Sequence, residues 1–193
     1  MRKKKIFVGL IIFFLTSMNI ISQNDFAQKI LYSKTKKADM NLSCYPKDFS
    51  GAILITSDNE IVPFVGHAGM IINSHQVIES SCLEGVHYGP NDWDISKKTC
   101  YCSIPKSISR RKSFLAANWS QNQINKKYNY NFFNWRNVEA KKFYCSQIVW
   151  TAYYKTCQTD IAPNHPLILF PIDFVSNQAT EIIYLKDICH EKK

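Results

Sequence analysis

Phe143-Tyr144-Cys145-Ser146-Gln147-Ile148-Val149-Trp150 is the stretch on which the fold turns. Residues 145, 148, 149, 152 and 153 (Cys, Ile, Val, Ala, Tyr) recur at helical spacing, so the pattern predicts an amphipathic helix whose apolar stripe faces a core and carries Cys145 at its N-terminal edge. Unpaired backbone N–H groups and the positive end of the helix dipole favour thiolate over thiol there. A cysteine on an apolar helical face is more often a small buried hydrophobe. This segment alone therefore does not establish chemistry.

Upstream, Gly66-His67-Ala68-Gly69-Met70-Ile71-Ile72 reads as a short strand beginning on a histidine, and Gln76-Val77-Ile78-Glu79-Ser80 as the strand that follows. A three-residue loop of Asn73, Ser74 and His75 sets Gly69 opposite Glu79 and makes His67 the diagonal neighbour of Glu79 on one face. A two-residue loop would send the two side chains to opposite faces. Gly69, lacking a side chain, is read as leaving space for the contact.

Together with Gly85-Val86, Trp93 and Tyr128-Asn129-Tyr130-Asn131-Phe132, these segments resemble the YiiX-like permuted papain-fold cysteine peptidases and amidases of the NlpC superfamily, over roughly residues 48 to 176. Papain-like enzymes place the cysteine before the histidine; here the histidine comes first, as the permuted branch requires. The resemblance implies an α+β fold in which a small, mainly antiparallel sheet packs against the helix carrying the cysteine. It also implies roles: Cys145 as nucleophile, His67 as general base and Glu79 as the group that orients the imidazole. One position departs from the family pattern. The usual Gly-Asp-Ile-Leu of the first strand is Gly51-Ala52-Ile53-Leu54 here, which puts a contact near the strand entrance in doubt and leaves the three site positions untouched.

The chemistry such a set performs is attack on an acyl carbonyl. His67 takes the thiol proton and returns it to the leaving group, Glu79 fixes the tautomer, and a thioester forms at Cys145. Backbone N–H groups at the helix start are natural oxyanion donors. Water as the second acceptor makes a hydrolase of peptide or peptidoglycan-type amides, and another nucleophile makes a lipid or ester acyltransferase; a thioesterase uses the same triad. A noncatalytic cleft that binds envelope ligands is the alternative from a different class. No cofactor is expected.

The chain has 193 residues, 46% hydrophobic and 20% charged, enough for one domain with a real core and too few for two comfortable ones. Arg2 and Lys3 to Lys5 precede the apolar run Ile6 to Leu15, so residues 1–22 read as an export signal with cleavage after Ser22. The expected location is periplasmic or extracellular, or membrane-anchored where the signal stays uncleaved. Residues 23–47 form an N-terminal helical segment, with a helix over Asp25 to Lys37, and residues 48–193 the catalytic domain.

The formal charge of +9 is modest on inspection. Four basic residues lie in the acid-free leader, which leaves 20 basic against 15 acidic side chains, or +5. The cluster Lys106 to Lys112 suits an anionic polymer or lipid headgroups at the envelope, against the blander reading of a solvated helix face. No nucleic-acid motif is present.

With Cys145 free, six cysteines remain (Cys44, Cys82, Cys100, Cys102, Cys157, Cys189), an even number compatible with as many as three disulfides in an exported chain. Cys100 and Cys102 share one face of a strand and are poorly placed to bridge each other. No two-residue-spaced cysteine pair marks a zinc site, so no metal is expected. His75 falls in the proposed turn, His87 in a polar loop, His165 in an Asn-His-Pro turn and His190 in a charged tail.

The remaining elements are strand 51–57, a strand near 99–104, a helix across 106–124 with apolar contacts from Phe114, Leu115, Ala117, Trp119 and Ile124, and a final strand near 181–185. The order mixes helices with a mainly antiparallel sheet, an α+β pattern. Asn129, Tyr130 and Asn131, just before the nucleophile, either line the catalytic groove between the cysteine helix and the sheet or form a hydrogen-bonded turn.

Overall fold

The computed structural model describes residues 44–58, 65–175 and 177–187. The proposed signal, the helix over Asp25 to Lys37 and Cys189 lie outside the described residues. Among the described residues, no helix is long and apolar enough to cross a membrane.

Six strands form one antiparallel sheet: β1 (Ile53–Thr56), β2 (His67–Ile71), β3 (Gln76–Ser81), β4 (Gly85–Pro90), β5 (Thr99–Pro105) and β6 (Thr180–Asp187), in the order β4-β3-β2-β1-β5-β6. The helices are α1 (Trp93–Ser96), α2 (Arg110–Gln121) and α3 (Cys145–Cys157), with short 3₁₀ turns at Phe132–Asn134 and Pro171–Phe174. This is the α+β arrangement that the sequence pattern predicts.

The β2–β3 hairpin has the three-residue loop. Gly69 pairs with Glu79, Met70 with Ile78 and Ile71 with Val77, and Ile72 N–H closes the hairpin on Gln76 O at 2.9 Å. Asn73 explains the loop length: its side-chain oxygen accepts from the N–H groups of His75 (2.9 Å) and Gln76 (3.0 Å), an Asx turn that fixes the register of everything downstream.

Alternation divides the sheet into two buried faces. Ala52, Leu54, Ile71, Val77, Cys100 and Cys102 cluster on one, under the Trp93 indole of α1. Helices α2 and α3 cover the other: Ser120 reaches Met70 Sδ at 3.8 Å, Ser80 Oγ donates to Phe143 O at 2.7 Å, and Tyr153 OH donates to Gly51 O at 2.5 Å. Ala52 sits fully buried in the apolar cluster. A carboxylate at that position would enter hydrocarbon, so alanine suits this chain's own core.

Two expectations about α2 are corrected. The helix begins later than predicted, because Ser109 caps it by accepting from Lys112 N–H. Its packed face is Ser113, Ala116, Ala117 and Ser120, whereas Phe114 and Leu115 are half exposed. The reason is close approach: a Cβ at Gly51 would stand 2.3 Å from Ser113 O, so the helix lies against backbone and admits only small side chains. Trp119 is the large contact that does form, its ring set edge-on against Phe143 with centroids 5.9 Å apart.

Among the described residues no cysteine is bridged: Cys44, Cys82, Cys100, Cys102 and Cys157, five of the six considered for disulfides, are free thiols, as is Cys145. Cys100 and Cys102 belong to the apolar cluster, where burial pushes the Cys100 thiol up to about 12 and Cys102 well above its ordinary value; they behave as small hydrophobes.

Candidate active site

The site begins at the end of the β2–β3 ladder. Pairing runs from Ile71↔Val77 to Gly69↔Glu79, so His67 and Ala68 lie beyond it, and the start of α3 approaches in that opening through the Ser80–Phe143 bond. Gly66, with φ of +75°, turns the chain into β2; a Cβ there would stand 2.6 Å from Thr56 O. Only glycine fits both demands.

Helix α3 is more deeply placed than a one-sided stripe requires. All nine residues from Cys145 to Tyr153 are buried. Its N-cap, Tyr144, supplies no side-chain cap, and the first helical bond runs from Ile148 N to Tyr144 O at 3.1 Å. The N–H groups of Cys145, Ser146 and Gln147 therefore precede the helical ladder and concentrate positive potential around the sulfur.

Glu79 and His67 meet as the register demands. Glu79 Oε2 lies 2.6 Å from His67 Nε2, both side chains being about 15% exposed. With Nε2 engaged, Nδ1 is the ring nitrogen left for the sulfur, and Cys145 acts on the imidazole to raise its proton affinity. Burial opposes the charge on His67, but the bonds to Cys145 and Glu79 outweigh it and raise the imidazole well above its ordinary value. Burial likewise opposes the Cys145 thiolate. The His67 bond and charge, the Ala68 backbone N–H and the Ser146 hydroxyl overcome it and lower the thiol below its usual range. Glu79, despite burial, is held well below the carboxylate range by two histidines, His67 and His87. Each neighbour thus favours the charged form of the next, Glu79 the imidazolium and His67 the thiolate.

Three supporting residues carried no assigned role in the sequence. Trp93 stacks on His67, centroids 5.8 Å apart at 26°, and fixes the plane of the ring. It also corrects the reading of Gly69: a Cβ there would meet the Trp93 indole at 3.2 Å and Ile78 O at 3.1 Å, so the glycine makes room for Trp93. The glycine that admits the carboxylate is Gly89, whose Cβ would stand 2.2 Å from Glu79 Oε1. The third is His87, read as a loop residue. It lies on β4 directly opposite Glu79, with Nε2 3.5 Å from Glu79 Oε1.

Asn129 takes the turn reading, and the cavity its segment lines is bordered by none of the three site residues. The Asn129 side-chain oxygen accepts from Asn131 N–H, forming a turn, while its amide donates to Gln147 Oε1 at 2.8 Å. Gln147, fully buried two residues after Cys145, donates in turn to Trp135 O at 3.3 Å. With Asn131, Asn134, Asn137, Ala140, Lys141 and Lys142, Asn129 also lines an open cavity of about 220 Å³. Tyr128 and Tyr144 lie close enough to Cys145 for the sulfur's charge, added to burial, to push both phenols up. The basic cluster is partly engaged: Arg110 covers the Phe49 ring at 4.4 Å, and Lys106 Nζ donates to Gln178 O at 3.2 Å. Among the described residues, no group of three His, Cys, Asp or Glu side chains is arranged to hold a metal ion.

The chain is 28% identical over 142 residues to the uncharacterized protein YycO of Bacillus subtilis (strain 168), covering 72% of this chain and 56% of YycO; it thus spans just over half the length of that relative. A solved structure, that of metalloprotein YiiX from Escherichia coli O157:H7, matches 60% of this chain and 70% of its own with a TM-score of 0.49 and 19% identity. The model of the permuted papain-like amidase enzymes, the YaeF/YiiX or C92 family, matches residues 29–187, and the chain belongs to that family.

Proposed function

We propose that this protein is a cysteine hydrolase that cleaves an amide bond through a thioester at Cys145. The observation that supports this most is Glu79 Oε2, 2.6 Å from His67 Nε2, on a ring that in turn lowers the Cys145 thiol. The thiolate attacks the carbonyl carbon, the carbonyl π pair moves to oxygen, and N–H groups at the start of α3 receive the oxyanion. Each such donor lowers the barrier by about 3 kcal/mol. The His67 imidazolium then gives its proton to the departing amine, and neutral His67 takes a proton from water, whose oxygen attacks the thioester and frees the acid. Glu79 holds the ring in the tautomer that serves both steps.

The substrate class we infer is a peptide or peptidoglycan-type amide at the cell envelope. This rests on family membership, on the leader-like residues 1–22 and on the cationic start of α2. Incubating the protein with peptidoglycan stem peptides and, separately, with acyl esters, then measuring intact mass after acid quench, tests it. A Cys145-linked acyl adduct from the amide, absent in Cys145→Ala, is the expected result. An adduct formed from esters alone would reassign the protein to acyl transfer or thioester chemistry.

A further inference from the structure

The Glu79 carboxylate has two oxygens, and the site described above uses one. The other faces His87, whose Nε2 lies 3.5 Å from Glu79 Oε1 and 3.1 Å from Glu84 Oε2. On the opposite side of that ring, Nδ1 is 2.9 Å from Gly85 O. A carbonyl oxygen only accepts, so Nδ1 bears a proton toward Gly85, while Nε2 faces two carboxylate oxygens at ion-pair distance. These surroundings favour the doubly protonated ring.

Backbone anchors this arrangement. His87 pairs with Glu79 across β3 and β4, so the two side chains project from one face side by side. Gly89 leaves the pocket into which Oε1 fits. In the loop that pairs with Val86, Lys126 Nζ turns to Gln123 Oε1 at 2.5 Å and toward the Phe143 ring, and Lys127 runs beside Gly85. The charges that act on His87 are those of Glu79 and Glu84, with His67 beyond the Glu79 carboxylate.

We propose that His87 is a positioning residue which, as an imidazolium, clamps Glu79 from the side opposite His67 and so sets the orientation and basicity of the catalytic ring. The assignment rests on the cysteine–histidine reading above. A carboxylate held by one partner can rotate about its χ angles. One with a cation beside its second oxygen is held against that rotation and presents Oε2 to His67, which is what a base-orienting group requires. The second cation has a further effect: it draws charge from Glu79 and lowers the affinity of His67 for its proton, while favouring the thiolate.

The test is the rate of Cys145 alkylation by iodoacetamide across pH in wild type, His87→Leu, His87→Gln and His67→Ala, with folding of each checked by thermal unfolding. His87→Leu should label at least fivefold more slowly at neutral pH. His87→Gln, whose carboxamide can still donate to Oε1 but carries no charge, should recover most of the rate while both limbs of its pH profile move to higher pH. Wild-type rate and profile in folded His87→Leu, or a wild-type profile in His87→Gln should the leucine variant fail to fold, would overturn the assignment while slow labelling of His67→Ala leaves the parent reading standing. If His67→Ala itself labels as fast as wild type, the parent reading is overturned and the clamp with it.

Discussion

Gly89 lies diagonally across from Glu79, so close that a Cβ on the glycine would stand 2.2 Å from Glu79 Oε1. The obstacle is the far end of a flexible side chain, so a methyl group there would displace the carboxylate and leave the fold in place. Gly89→Ala should retain a cooperative thermal transition within a few degrees of wild type while losing at least about tenfold in kcat/KM, since general base geometry contributes about 10²–10⁴-fold. Equal activity in the folded variant would show that the pose of Glu79 is immaterial.

Replacing the carboxylate itself separates charge from shape. Glu79 raises the proton affinity of His67 and His67 lowers that of Cys145, so under the proposed mechanism activity should span the interval between a depressed thiol and an elevated imidazole. Glu79→Gln removes the anion, the folded His67 value falls, and the alkaline limb of kcat/KM against pH should move to lower pH. The maximum should drop by about 10²-fold or more. An alkaline limb that stays in place would mean that a different group titrates there.

The packed face of α2 makes a prediction about stability. Ala117 is 1% exposed against the sheet, whereas Leu115 is 43% exposed. Ala117→Leu should cost about 1–3 kcal/mol through overpacking, and Leu115→Ser less than about 1 kcal/mol, measured by urea unfolding. The reverse ranking would contradict the close approach of α2 to Gly51.

What the sequence disclosed, and what it hid, follows one physical division. The pairing of His67 with Glu79 was legible because Asn73-Ser74-His75 fixes a hairpin register and period-two alternation does the rest. The Cys145 helix was legible from its spacing. Strand β4 was not, since Gly85-Val86-His87-Tyr88-Gly89-Pro90 holds two glycines and ends in proline, residues that weaken any strand pattern; His87 was lost with it. Gly89 is there for Glu79 and Gly69 for Trp93, and neither need shows in local propensity. The outward placement of Phe114 and Leu115 was hidden for a similar reason: the size limit on α2 is imposed by the backbone at Gly51, far away in the chain.

The central claim is that His67 activates the Cys145 sulfur. The most direct measurement is the second-order rate of iodoacetamide labelling at each free thiol near neutral pH, resolved by peptide mass spectrometry, in wild type and in His67→Ala. Cys145 should label fastest of the thiols in the wild type, and the substitution should slow it at least tenfold without affecting Cys82 or Cys157. Labelling of Cys145 that is slow from the outset and indifferent to the loss of His67 would contradict the account and leave the thiol a packing residue beside a binding cleft.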